Sequence, residues 1–147
     1  METSLLPKLL AVGLLFTAAT THVMADNNPL VAERWQTRPL VVVIPGPEHP
    51  MLRDLQSQLR DPAMQQEFQE REMALFTVVA GKGQRAGVPM TPAQTNSLLV
   101  ALRVVGDGPA QVFLIGKDGG IKLRESGDRV SLPEIFTLID GMPMRRR

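Results

Sequence analysis

Residues 109–144 have the sequence PAQVFLIGKDGGIKLRESGDRVSLPEIFTLIDGMPM, and this stretch decides the fold. Residues 112–115 form an unbroken apolar run, which is typical of a strand buried on both faces. Residues 117–120 tolerate positive φ and therefore predict a hairpin turn. Ile121 and Leu123 alternate with charged residues, which predicts a return strand with one buried face and one solvated face.

A helix is predicted after this hairpin. Ser131 and Glu134 have the spacing of a capping box, in which the side chain of each residue accepts from the backbone N–H of the other. The apolar residues that follow lie at helical spacing, and Gly141 with Pro143 ends the helix. The stretch therefore predicts a strand, a turn, a second strand and a helix.

Two further strands are predicted upstream, at residues 39–44 and 75–80, because both runs are largely apolar. A helical pattern begins at Met51 and restarts at the cap Asp61–Pro62, and a second capping box opens a helix at Thr91. Residues 81–90 are predicted to be a solvated loop. A phosphate cradle is the alternative there, but the loop lacks the Gly-Lys-Ser/Thr signature.

This order of elements predicts an α/β fold with a mixed central sheet and helices on both faces. A βαβ crossover makes its two strands parallel, and a β-hairpin with a helix follows it. A βαβ unit joined by a helix to a ββα unit is the core of the thioredoxin fold. In that arrangement the 39–44 strand lies between the parallel 75–80 strand and the antiparallel 112–115 strand, covered on both faces.

The first 25 residues have the layout of a secretory signal peptide. Lys8 precedes an apolar run at residues 9–16, and small or polar residues lead to Ala25. The run is shorter than the roughly 20 residues of a membrane span, although an uncleaved anchor is the alternative. We therefore expect cleavage near Ala25 and a periplasmic or secreted protein that begins at Asp26.

The mature chain divides into a lead-in at residues 26–38, a domain at residues 39–144 and a basic tail at residues 145–147. Trp35 is the only tryptophan. We expect it to pack over the sheet edge, because large aromatic side chains are mostly buried, and a ligand-stacking role is the alternative.

Composition excludes several classes of function. The chain has no cysteine, so it cannot act as a thiol–disulfide oxidoreductase or a thiol peroxidase. Its net charge is +1, which gives no indication of the strongly basic surface that binds nucleic acid. His49 is the only histidine outside the predicted signal peptide, so we expect no metal and no cofactor.

Segments at both ends resemble a family of small exported bacterial proteins, the domain of unknown function 4174, with a thioredoxin-like fold. The matching segments are residues 34–43, 113–124 and 139–147, whereas residues 61–107 match poorly. The resemblance implies export and a thioredoxin-like fold. It would place the cis-proline of that fold at Pro109, and it brings no catalytic residues.

Thioredoxin-like enzymes carry their reactive cysteine after the first strand, and this chain has no thiol there. The residues at that place and in the loop before the hairpin are the candidate ligand-binding residues: Pro47, Glu48, His49, Pro50, Gly108 and Pro109. We expect the two loops, residues 45–50 and 106–109, to meet and to form the binding face.

The leading hypothesis is a non-redox, exported binding or interaction module of the cell envelope, whose partner is an envelope protein or a small ligand. The alternative is a small hydrolase or isomerase in which Glu48 and His49 form an acid–base pair. A third hypothesis is that Arg145, Arg146 and Arg147 bind the protein to an anionic membrane surface. A solvated tail that complements the helix dipole is the simpler explanation of those arginines.

Overall fold

A computed structural model describes residues 27–143. The predicted signal peptide and the three tail arginines lie outside these residues. The described elements are α1 (Leu30–Glu33), β1 (Arg38–Ile44), α2 (Pro50–Arg60), α3 (Pro62–Glu70), β2 (Met73–Val79), β3 (Lys82–Arg85), β4 (Val88–Pro89), α4 (Pro92–Leu102), β5 (Gln111–Ile115), β6 (Ile121–Ser126) and α5 (Leu132–Asp140).

The strands form one six-stranded mixed sheet in the order β4-β3-β2-β1-β5-β6. β1 pairs parallel with β2 and antiparallel with β5, so the predicted position of the first long strand is confirmed. The α/β class with a mixed sheet is likewise confirmed.

All seven residues of β1 are buried, including Arg38, and the apolar run at residues 39–44 predicts this burial for the other six. Successive side chains of a strand point to opposite faces, and two separate cores follow from this alternation. Leu40, Val42 and Ile44 pack with α2, α3 and α5 on one face. Val41 and Val43 pack with α4 on the other face. Helices therefore cover both faces of the sheet.

The helix starts are set by the caps that the sequence indicates. Asp61 accepts from the N–H of Ala63 at the start of α3. Thr91 and Gln94 form both hydrogen bonds of a capping box at the start of α4. Ser131 accepts from the N–H of Glu134 at the start of α5, which is one half of the predicted box.

The prediction of a loop at residues 81–90 is wrong, because β3 and β4 lie there. Ala80 and Gly81 have φ of 49° and 78°, and Ala86 and Gly87 have φ of 49° and 79°. Two consecutive positive φ angles build the tight turns whose twist matches a hairpin. The two Ala-Gly pairs thus fold the polar segment back onto β2 as an edge hairpin.

The prediction of a buried Trp35 is also wrong. The residue is 61% exposed and has a φ of 62°, although its N–H donates to the Lys117 carbonyl over 2.7 Å. The connection between α1 and β1 needs a left-handed residue at this point, and that turn directs the indole away from the sheet.

Two details of the hairpin stretch differ from expectation. β6 is the edge strand of the sheet, and Ile121 is 47% exposed rather than buried, because no helix covers this edge. Residues 27–143 contain no cis peptide bond, so Pro109, where the resemblance would place the cis-proline of the thioredoxin fold, is trans.

Candidate functional site

The loop after β1 ends at His49, whose side chain caps α2. Its Nδ1 accepts a hydrogen bond from the Met51 N–H over 3.2 Å, and Pro50 occupies the first helical position. A proline suits that position because the first turn needs no N–H from it. His49 therefore has a structural role that the sequence analysis did not foresee.

The second imidazole nitrogen of His49 also faces a partner. Nε2 lies 3.6 Å from Oδ1 of Asp128, which follows β6 in the connection to α5. Because Nδ1 accepts from a backbone N–H, the neutral ring carries its proton on Nε2. The ring therefore has no lone pair available for a substrate proton unless the helix cap is broken.

Glu48 is exposed beside His49, and its backbone carbonyl accepts from Arg53 over 3.1 Å. Asp128, rather than Glu48, is the carboxylate placed near the imidazole. The expected acid–base pair therefore receives no support from the geometry of the loop.

The loop with Gly108 and Pro109 lies at the same end of the sheet as the His49 loop, because Val43 pairs with Gln111. The two loops have different neighbours, however. The Gly108 N–H donates to Val105 within its own loop, and Gly106 packs against Gly81 of the β2–β3 turn. The candidate residues thus lie at one end of the sheet. The nearby concave surface includes Pro47 but none of the other candidate residues.

That surface is a groove between α2 and the strands β2 and β3, with a volume of about 570 Å³. Mainly apolar residues from both walls line it: Pro47, Leu52, Leu55, Gln56, Leu59, Leu75, Thr77, Val79, Ala80, Lys82, Gln84 and Gly87. Pro47 is the one candidate site residue among them. A volume of this size is typical of small-molecule sites.

The groove exists because the helices cover the two faces of β2 unequally. Ala74, Phe76 and Val78 are buried in the core that contains α4, whereas Leu75, Thr77 and Val79 on the opposite face are only half-buried. α2 packs over β1 and leaves the outer strands partly open. The groove has no local sequence signal, because the polar sequence of its outer wall, β3, is typical of a loop.

A cationic cluster lies at the opposite end of the sheet, where Lys117 and Arg38 line a smaller cavity of about 350 Å³. Arg38 is 3% exposed and donates to the Arg71 carbonyl over 2.9 Å. Both cations pair with the single carboxylate of Glu72, which neutralises one of their two charges. This cluster is therefore a structural clamp between the beginning of β1 and the end of β5.

Within residues 27–143, no group of three or more His, Asp or Glu side chains is placed to hold a metal ion. No helix of that part of the chain is long and apolar enough to cross a membrane.

The chain matches a known family. A family model described as Domain of unknown function (DUF4174) matches residues 29–147. Comparison with curated proteins and with solved structures finds no significant match in either set.

Proposed function

This chain belongs to the DUF4174 family of domains of unknown function, and we propose that it is an exported binding module with a thioredoxin-like fold and no redox chemistry. The observation that carries this proposal is the open apolar groove beside α2. A concave, mainly apolar surface with few polar groups is the usual form of a small-molecule site.

The strand pairing supports the thioredoxin-like assignment. β2, β1, β5 and β6 are consecutive neighbours, with one parallel pair followed by two antiparallel pairs. α2 and α5 pack on one face of β1, and α4 packs on the other. This is the arrangement of a βαβ unit joined through a helix to a ββα unit.

Binding is favoured over catalysis because both ring nitrogens of His49 face partners within the protein. In an acid–base enzyme the imidazole must exchange a proton with the substrate. Here Nδ1 holds the first turn of α2, and Nε2 faces Asp128. The groove, in contrast, is open and its apolar lining is available for a ligand.

Export is supported by the N-terminal pattern of Lys8, the apolar run and the small residues before Ala25. Intact-mass measurement of the protein from its producing cells tests it. We expect the mass of a chain that begins at Asp26. A full-length mass in the cytoplasmic fraction would overturn this part of the proposal.

The binding proposal is tested by closing the groove at Thr77, which lies half-buried on its floor. Thr77→Phe fills the groove with an aromatic ring that a strand tolerates, and Thr77→Val changes its chemistry without filling it. The readouts are native mass spectrometry of protein from the producing cells and fluorescence of the apolar probe N-phenyl-1-naphthylamine.

We expect the wild type and Thr77→Val to retain a small molecule and to enhance the probe's fluorescence, and Thr77→Phe to lose both properties. Unfolding curves test whether Thr77→Phe still folds. If a folded Thr77→Phe bound the probe and the retained molecule as the wild type does, the groove would not be the binding site. If the wild type did neither, the binding module would be refuted.

A further inference from the structure

We propose that the groove takes an amphiphile with a single negatively charged head group, such as a fatty carboxylate, whose head lies at Lys82. This inference rests on the proposed binding function and adds the chemical class of the ligand.

Lys82 is the only charged residue among those that line the groove. It begins β3 beside Val79, and its side chain is exposed at the mouth. Among residues 27–143 its ammonium group has no carboxylate partner. A bound anion would therefore meet a cation that is not already neutralised.

The two ends of the groove differ: one end carries its charged lining residue, and the other end is apolar. Pro47, Val79 and Lys82 lie at the end where β1 and β2 finish and α2 begins. At the other end are Leu59, late in α2, and Leu75, whose carbonyl accepts from Ala86 in the β3–β4 turn.

The apolar floor is long enough to hold part of an alkyl chain. Leu75 and Val79 are four residues apart on one strand, which corresponds to about 13 Å. Leu52, Leu55 and Leu59 form the facing wall on α2. Each methylene group buried there strengthens binding by about fourfold, so the alkyl chain supplies the affinity.

Lys82 determines the selectivity for the head group and contributes little to the affinity. It is exposed to solvent, and an exposed ion pair is weak, so we expect a preference of about threefold for an anionic over a neutral head. A cationic head would be repelled by the same ammonium. The apolar end of the groove has no charged lining residue to attract a head group in the reverse orientation.

The test uses three probes with the same twelve-carbon chain: dodecanoate, dodecan-1-ol and dodecyltrimethylammonium, each below its micelle concentration. Displacement of N-phenyl-1-naphthylamine reports their binding to the wild type and to Lys82→Gln. Lys122→Gln is the matched control, because Lys122 lies on β6 at the other side of the sheet and pairs with Asp118.

We expect the wild type and Lys122→Gln to bind dodecanoate best and the ammonium probe least. Lys82→Gln should bind the acid and the alcohol equally, and 0.5 M salt should reduce the wild-type preference. Equal binding of acid and alcohol by the wild type would overturn the inference while leaving the groove as a binding site. Failure of all three probes to displace the fluorophore would overturn the inference, and the Thr77 variants then decide the proposed function separately.

Discussion

Arg71 and Asp140 form a bidentate ion pair that joins the end of α3 to the end of α5. Nε donates to Oδ1 over 3.1 Å and Nη2 donates to Oδ2 over 2.7 Å. The guanidinium also stacks 4.5 Å above the Phe136 ring. Met64 and Phe68 of α3 pack only partly buried against the core, and no residue of α3 is fully buried, so this pair adds a specific attachment to the fold.

Asp140→Ala should lower the free energy of unfolding by about 1–2 kcal/mol, because it removes two charge-assisted hydrogen bonds from an otherwise buried guanidinium. The loss is small because the Asp140 side chain is 47% exposed, so solvent screens the ion pair. Urea denaturation measures it. Asp107→Ala, at an exposed loop position, is the control and should change stability by less than about 0.5 kcal/mol. Equal effects of the two substitutions would contradict the attachment.

Glu33 should make stability depend on acid pH. Burial alone would raise the pKa of Glu33, but hydrogen bonds from Arg85 and Thr37, together with the charge of Arg85, hold that pKa below its ordinary value of 4.5. A pKa that is lower in the folded state gives stability that is complete above 4.5 and is lost as the pH falls through the folded value.

Glu33→Gln removes this contribution. We expect it to be about 1–2 kcal/mol less stable than the wild type at pH 7, with a shallower decline below pH 4.5, so that the two curves converge in acid. Denaturation in urea across pH 2.5–7 measures both curves. Glu125→Gln, at an exposed position of β6, should follow the wild type. A constant difference between wild type and Glu33→Gln at every pH would refute the assignment.

His49 should behave as a helix cap rather than a catalyst. His49→Asn keeps a side-chain acceptor for the Met51 N–H and should retain stability, whereas His49→Ala should lose about 0.5–2 kcal/mol. Both variants should retain probe binding in the groove. If His49→Asn abolished a measurable turnover while remaining folded, the acid–base hypothesis would be restored.

Much of the fold is predictable because burial on both faces leaves a simple mark on the sequence. Continuous apolar runs at residues 39–44 and 112–115 make up most of β1 and β5, and the caps at Asp61 and Thr91 are short-range signals. β3 is different: its only local signals are two Ala-Gly pairs, and its residues are mostly polar because it lies near the edge.

The site was less predictable for the same reason. The groove depends on where α2 packs relative to β2, which no local pattern encodes. The cap at His49 was missed because histidine is not among the preferred N-cap residues, so its nitrogen suggested chemistry instead. Of the predicted site residues, only Pro47 lines the observed groove.

Trp35 offers a direct test of the corrected placement. A buried tryptophan replaced by a small residue would cost about 3–5 kcal/mol. Trp35 is instead exposed in a left-handed conformation that glycine adopts freely, so Trp35→Gly should change stability by less than about 1 kcal/mol. Trp35→Val should be less stable than Trp35→Gly, because a β-branched residue is strained there. A loss above about 2 kcal/mol in Trp35→Gly would show that the indole packs on the sheet after all.

Gly83 should be the most sensitive glycine of the edge hairpin, because α4 lies directly over it. A methyl group built at Gly83 would collide with the Thr95 hydroxyl and the end of the Met90 side chain. Thr95 is buried and bonds to the Thr91 carbonyl over 3.1 Å, so it has little room to move. We expect Gly83→Ala to lower the free energy of unfolding by about 1–3 kcal/mol.

A second substitution separates the collision from a general intolerance of change at this position. Thr95→Ala removes the two Thr95 atoms that the new methyl group would meet and leaves only the flexible end of the Met90 side chain. The double variant should therefore be more stable than the sum of the two single effects by about 1 kcal/mol. Gly46→Ala is the control, since a methyl group there meets nothing within 4 Å, and it should be neutral or slightly stabilising. Strict additivity of Gly83→Ala and Thr95→Ala in urea denaturation would mean that α4 does not rest on β3 as described, and the hairpin that forms the outer wall of the groove would then need a different support.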